Sequence, residues 1–505
     1  MIVLLNPKSA SYGYRVPNSV LTIGAFIEGK YDYNIFDENI YGENLLFLKN
    51  NLEINKIKYL GITVMPGLQL RRAVSISQDI KNNFPELVII WGGYFSSLHP
   101  NTVLKSGYVD FVLKGHSEFS FLELIDNLEN CKDSKPFELI KGLSYKKNGE
   151  IKHNPKSEII NPDLIPRLPY NKIDVNKYLQ VANTYLGNRT IAYHSSVGCP
   201  FLCGFCAVAG IYKGGWKGRS AEFVADDLIY LKKEYDIGAV EFHDNNFFVS
   251  EKRCFEIAER IKHLNIGWWG EARPDTVMKF SDSSIKMIAD SGCKMIFFGA
   301  ESGSEEILKL MHKGGTQDST TVPELAKRLK DFGIVPEFSF VLGNPTNKVL
   351  ENIKSEIKYI RKVKDVNPDS EIIIYTYSPV NFEDSEMSLA SKDKGFDYPQ
   401  SLDEWVSPKW QNFDLRKSPL TPWMKPSYYR MIKYFEKTLN GMYPTKTDLK
   451  IKGWKKLILK TLSYFRYKFS IYFFPYEIMI VQKLLRYRQP ETEGFPFEEN
   501  NRGGK

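Results

Sequence analysis

The chain has little that would place it in a membrane, in a secretory compartment or on nucleic acid. No apolar run reaches the roughly 18 residues that a membrane-spanning helix needs, although 43% of its 505 residues are hydrophobic. Met1 leads directly into a strand-like stretch, residues 2–5, where a secretory leader would have a basic start and an apolar core. A cytoplasmic location is therefore expected. No nucleic-acid module is recognisable, and no nucleic-acid partner is expected. Cysteine is scarce, with six residues, and histidine nearly as scarce, with seven. Without an oxidising compartment, so few cysteines do not make a disulfide framework.

Three of the six are nevertheless concentrated in one place. Cys199, Cys203 and Cys206 stand at C-x3-C-x2-C spacing in the stretch Gly-Cys-Pro-Phe-Leu-Cys-Gly-Phe-Cys. Three thiolates from one loop can ligate three irons of a [4Fe–4S] cube and leave the fourth iron open, whereas a closed electron-transfer cluster takes a fourth cysteine. A structural zinc site would need paired nitrogen or sulfur ligands, and His194, Cys254 and Cys293 form no second pair. The scattered Cys131, Cys254 and Cys293 read as small core residues.

Around this loop the pattern is that of an α/β protein. Residues 1–150 alternate short apolar strands with helix-like stretches, which predicts an N-terminal doubly wound, Rossmann-like parallel sheet. Its strand ends carry the turns Asn6-Pro7, Thr63-Val64-Met65-Pro66, Gly92-Gly93-Tyr94 and Gly115-His116-Ser117-Glu118, and ligands of such sheets sit outside the carboxyl ends of the strands. Residues 151–190, rich in proline, asparagine and tyrosine, read as a linker. Strand candidates at 191–195, 239–243, 267–271, 295–299, 336–341 and 371–377, separated by helical stretches, predict a partial, TIM-like (β/α)6 barrel over 191–382. The cysteine loop follows the first of these strands, and catalytic residues of barrels lie at the carboxyl ends. There the sequence places Asp244 and Asn245, then Arg273, then Glu301 and Ser302, then Gly343, then Tyr375. Arg273 offers a fork of donors suited to a carboxylate.

A mostly helical region is expected over 383–505. Eleven of the chain's lysines and arginines fall between Lys446 and Arg488 against Asp448 and Glu477, which accounts for the whole excess of the net charge of +8. Aromatic residues interleave with them. A basic amphipathic helix at the inner membrane face, a cover over a lipophilic substrate and a domain cap with a solvated basic face are all consistent with this pattern.

With Phe205 before its last cysteine, the loop resembles that of the radical S-adenosylmethionine (radical SAM) superfamily. In that superfamily the open iron chelates S-adenosylmethionine, whose reductive cleavage gives a 5′-deoxyadenosyl radical. The four sheet turns resemble the cobalamin-binding domain of the superfamily's B12-binding branch, implying a cobalamin held near Asn6, Pro7, Thr63, Val64, Gly92, Gly93, Tyr94, Gly115 and Glu118. His116 and Ser117 depart from the branch's usual turn. The Asp-x-His-x-x-Gly signature is absent, so no histidine is expected beneath the cobalt. His99 and His116 are the only histidines expected near that face. The Gly-x-Glu-Ser-Gly-Ser turn at 299–304 and the following 310–314 also resemble the branch; by that likeness Glu301, Ser302 and the backbone near Gly343 contact S-adenosylmethionine, with Arg273 beside the cofactors.

The resemblance implies a cofactor set of [4Fe–4S] cluster, S-adenosylmethionine and cobalamin, a small-molecule substrate, and an external electron donor such as flavodoxin or ferredoxin. It also implies methylation of an unactivated carbon. An oxidative cyclisation, as in the anaerobic magnesium-protoporphyrin ester cyclase, has the same domain order, and no sequence feature separates the two. An iron–sulfur scaffold without catalysis is the reading from a different class.

Overall fold

Alternation of buried strand and covering helix builds the first half of the chain. In the computed structural model, which describes residues 1–9, 15–44, 48–50, 56–179, 184–313, 316–380, 385–411, 420–485 and 487, five parallel strands come first. They are β1 (Ile2–Asn6), β2 (Tyr33–Asp37), β3 (Tyr59–Thr63), β4 (Val88–Gly92) and β5 (Phe111–Leu113), in the order β2-β1-β3-β4-β5. The chain winds outward in both directions from β1 and β3, so the strand ends diverge there and leave a crevice. Two further strands, β6 (Leu143–Lys147) and β7 (Glu150–His153), extend the sheet antiparallel from β5. Asn148 and Gly149, both at positive φ, close the β6–β7 hairpin, as an Asn-Gly pair between two strands should. The sheet is thus mixed rather than wholly parallel.

The second sheet is six-stranded and parallel: β8 (Thr190–Tyr193), β11 (Ala239–Phe242), β12 (Gly267–Ala272), β13 (Cys293–Glu301), β14 (Val335–Leu342) and β15 (Glu371–Thr376), each beside its predecessor. Among the described residues no bond joins β15 back to β8, so the barrel is open. β14 is buried along its whole length, as expected of a parallel strand covered on both faces. Between β8 and β11 a small antiparallel ribbon of β9 (Ser196–Gly198) and β10 (Trp216–Gly218) brackets the cysteine loop.

One hydrophobic core runs without interruption from one face of the first sheet into the barrel, joining Ile2, Leu4 and Tyr59 to Ile191, Phe242 and Phe338. The far face of the first sheet has its own core around Leu60, Trp91 and Phe95. The C-terminal region divides between these two cores: Phe396, Leu402, Trp405 and Trp410 close the far face of the first sheet, whereas Ile432, Phe435 and Leu439 of helix Pro426–Met442 pack on the barrel side. Among the described residues no helix is long and apolar enough to cross a membrane. Gly314, Arg486, Arg488, the 381–384 junction and the chain end at 498–505 lie outside the described residues.

Candidate active site

The cysteine loop is built on its flanking ribbon. Gly198 adopts φ +76, and a Cβ on it would lie 2.1 Å from the Gly215 carbonyl oxygen, so only glycine permits the β9–β10 approach. Cys199 N donates to Gly215 O at 3.0 Å, Cys206 N to Cys203 O at 3.1 Å, and Gly204 N to Met311 O at 3.1 Å. The last bond ties the loop to the segment after β13. Cys203 is buried, and Cys199 and Cys206 are half-buried. Burial pushes the Cys206 thiol up to about 12 and raises that of Cys199; such thiols stay protonated until a metal displaces the proton.

Arg273, at the end of β12, reaches this loop. Its Nη1 donates to Cys203 Sγ at 3.4 Å, and the guanidinium lies 4.0 Å over the Phe201 ring. The fork itself is engaged by Asp275, with Nε to Oδ1 at 2.9 Å and Nη2 to Oδ2 at 3.0 Å, and Nη2 also meets Thr316 Oγ1 at 3.2 Å. The fork expected to meet a ligand carboxylate is thus taken by a carboxylate two residues on, leaving a fixed positive charge against one sulfur.

The other strand ends divide into two groups. Asp244 is fully buried and accepts from Ser195 N at 3.1 Å, from Ser195 Oγ at 3.0 Å and from Ser196 Oγ, so it fixes the β8–β9 crossover from beneath. Glu301, at φ +61, is buried and paired with Lys313 Nζ at 2.8 Å. Ser302 donates to Glu356, which also accepts from Gly303 N at 3.0 Å. Trp423 Nε1 donates to Gly343 O at 2.8 Å. Those groups are engaged by the chain itself. Phe205 and Tyr375 both pack on a cluster that includes Met311, Tyr377 and Met387.

The second group faces a cavity of 920 Å³ between the strand ends of the first sheet and the mouth of the barrel. From the sheet it receives Asn6, Thr63, Gly92, Gly93, Tyr94, Gly115 and Glu118, and from the barrel Cys206 and Asn245. Tyr94 OH donates to Asn245 Oδ1 at 3.0 Å across the two domains. Pro7 and Val64 stand behind the wall. The Pro7 carbonyl accepts from Gln69 Nε2 at 3.1 Å, and Val64 is wholly buried with its amide bonded to Gly92 O at 3.0 Å. Gly93, at φ +92, lies where a Cβ would be 2.9 Å from Val64 backbone atoms, which is why the turn is glycine.

Several lining residues have no local signal in the sequence. His194 is open to the cavity yet surrounded by protein, and burial lowers its pKa to about 4. Arg15 and His243 also line the cavity, and both are paired with Glu241, which accepts from Arg15 Nε at 3.1 Å and lies 2.8 Å from His243 Nε2. Burial alone would raise its pKa, but His243 and Arg15 hold it down to about 2. Gln69 bonds Asn6 Oδ1 at 2.9 Å and Met65 N at 2.8 Å, joining two of the sheet turns.

The histidines differ from expectation. His116 lines the cavity, its Nδ1 2.7 Å from Glu118 Oε2 and its Nε2 buried without a partner. His99 does not line it; its ring is packed with those of Phe95, Tyr398 and Trp405. Aromatic residues from the C-terminal region, remote in sequence, thus draw it to the other core. Burial lowers the His99 pKa to about 4, against about 6.5 in the unfolded chain. Its contribution is complete above pH 6.5 and is lost as pH falls towards 4, by about 3 kcal/mol at most. Chemical denaturation of His99→Phe should show a flatter loss of stability over that window than the parent chain; parallel curves would contradict it.

With this geometry in place, comparison with known proteins gives a consistent result. The profile of the radical SAM superfamily matches residues 193–348. An uncharacterized methyltransferase of Pyrococcus horikoshii is 30% identical over 374 residues, 72% of this chain and 78% of that protein. The anaerobic magnesium-protoporphyrin IX monomethyl ester cyclase of Synechocystis is 23% identical over 349 residues, 66% of this chain and 67% of that one. Among solved structures, the radical S-adenosylmethionine methyltransferase TsrM of Kitasatospora setae, with cobalamin and a [4Fe–4S] cluster bound, superposes with a TM-score of 0.65 at 15% identity, over 92% of this chain and 99% of that chain.

The protein is a radical SAM enzyme. The chain belongs to the radical SAM superfamily, and its succession of sheet, barrel and helical region is a fold that superposes on that of TsrM.

Proposed function

We propose that the protein is a cobalamin-dependent methyltransferase that acts on an unactivated carbon of a small molecule. The observation that carries this reading is the 920 Å³ cavity, whose wall joins the sheet turns to Cys206 of the cluster loop. Its chemistry suits a corrinoid. Gly92 has open space where a side chain would project, Gly93 and Gly115 bring backbone to the surface, and the orphaned His116 Nε2 provides an unsatisfied polar atom. When bound, the cluster and S-adenosylmethionine supply a radical able to take hydrogen from carbon, and the corrinoid supplies the methyl group.

The chain's own part is positional. Cys199, Cys203 and Cys206 hold the cluster, and Arg273 Nη1 donates a hydrogen bond to Cys203 Sγ and sets a positive charge beside that sulfur. Asn246, buried beside Cys199, is a candidate contact for S-adenosylmethionine. The Lys313 and Glu356 contacts keep the turn of Glu301 and Ser302 rigid, and the Tyr94–Asn245 bond holds the two domains in register. Trp423 at Gly343, and the cluster on which Phe205 and Tyr375 pack, exclude water from the barrel side.

Methyl transfer is favoured over ring closure because the relative at 30% identity is described as an uncharacterized methyltransferase, whereas the cyclase stands at 23%. Radical SAM enzymes take an electron from outside; a flavodoxin or ferredoxin is the proposed donor, and peripheral attachment at the inner membrane face, with a lipophilic substrate, completes the reading. Anaerobically reconstituted protein with reductant should convert S-adenosylmethionine to 5′-deoxyadenosine. A full iron load without that product would favour the scaffold.

A further inference from the structure

The final helices present an apolar face that no described part of the chain covers. Of the twenty-one large hydrophobic residues exposed in the described structure, thirteen lie between Leu449 and Leu484. Helix Trp454–Lys468 buries Leu459, Ser463 and Tyr467, a four-residue spacing that defines one face, the one packed towards helix Pro426–Met442 and the adjoining Tyr443. On the opposite side Trp454, Ile458 and Phe465 form a second stripe, which Phe469 prolongs, and Trp454, Phe465 and Phe469 are each more than 60% exposed, at 63%, 66% and 61%. The next helix, Tyr476–Leu484, repeats the pattern with Tyr476, Ile480 and Leu484. The turn between the helices exposes Phe473 and Phe474, and Arg466 fixes it through Nη1 to Phe473 O at 2.8 Å and an ion pair with Glu477.

Charge selects the occupant. Between residues 449 and 484 there are eight basic residues, and the one carboxylate, Glu477, is already paired with Arg466. Lys455 and Lys468 of the same helix border the apolar stripe on either side, whereas Lys456 and Lys460 project from the opposite side. A second copy of the chain would bring two such clusters together, so self-association is opposed by repulsion. Aromatic and aliphatic side chains flanked by long basic ones match a lipid interface, where the rings enter the acyl boundary and the lysines extend to phosphates. We infer that residues 454–484 form an interfacial anchor that seats the enzyme on an anionic bilayer. This deepens the proposed membrane attachment and is independent of the cofactor chemistry.

The test uses full-length protein and flotation with vesicles of phosphatidylglycerol mixed with phosphatidylcholine, or of phosphatidylcholine alone. The parent chain should float with the anionic vesicles at low salt and be released at high salt. The triple variant W454E/F465E/F469E, altered only at exposed positions, and a second variant, K455E/K468E, should each lose about tenfold or more of that partition. Iron content and S-adenosylmethionine cleavage, measured on the same samples, should be unchanged, so failure of the cofactor reading would appear there and not in flotation. The inference is overturned if the parent chain does not float, floats equally with phosphatidylcholine, or is matched by both variants. It is equally overturned if the parent is a lipid-free dimer that W454E/F465E/F469E dissociates.

Discussion

Cys203→Ala is expected to leave the reconstituted protein without its cluster and without cleavage of S-adenosylmethionine. Three cysteines hold the cube with one iron open, so the parent should carry about four irons and four sulfides per chain. Cys203 is the most enclosed of the three, and its sulfur takes the Arg273 Nη1 hydrogen bond. Alanine removes one of three anchors and leaves that buried donor without its acceptor, a double loss that Cys131→Ala, at a half-buried site remote from the loop, does not cause. Iron analysis and product chromatography on the two variants check this. Full iron in Cys203→Ala would refute the cluster assignment.

The second large effect is expected at the cavity wall. Gly92→Leu puts a side chain where a Cβ has nothing within 4 Å, on backbone that needs no positive φ. The variant should fold and keep its iron, yet bind corrinoid about tenfold or more weakly, which corresponds to about 1.4 kcal/mol. Gly93→Ala is a poorer probe: its φ of +92 and the 2.9 Å approach to Val64 would disturb the turn itself. Absorbance of bound corrinoid after gel filtration, beside iron content, separates the outcomes. Undiminished corrinoid in Gly92→Leu would mean that the cavity is not its site.

The parts legible in the sequence were those with a local pattern. The six barrel strands announce themselves as apolar runs of regular spacing, the cysteine loop by its spacing alone, and the glycine turns by residues that tolerate positive φ. What escaped depends on contacts between distant segments. Nothing near Glu301 indicates that Lys313 neutralises it, and nothing near Gly343 indicates that Trp423 bonds its carbonyl. Arg15 meets Glu241 across 226 residues. The sequence places His99 near the cofactor face, but Trp405 and Tyr398 pack it into the other core. The Asn148-Gly149 hairpin carried a readable signal, and its strands lengthen the first sheet beyond the parallel set.

The central claim is that one cavity brings a corrinoid beside a cluster with an open iron. Its most direct test is the corrinoid and iron content of one anaerobically reconstituted, gel-filtered preparation of the full-length protein. The account predicts about one corrinoid and about four irons per chain. Four irons with no retained corrinoid would contradict it.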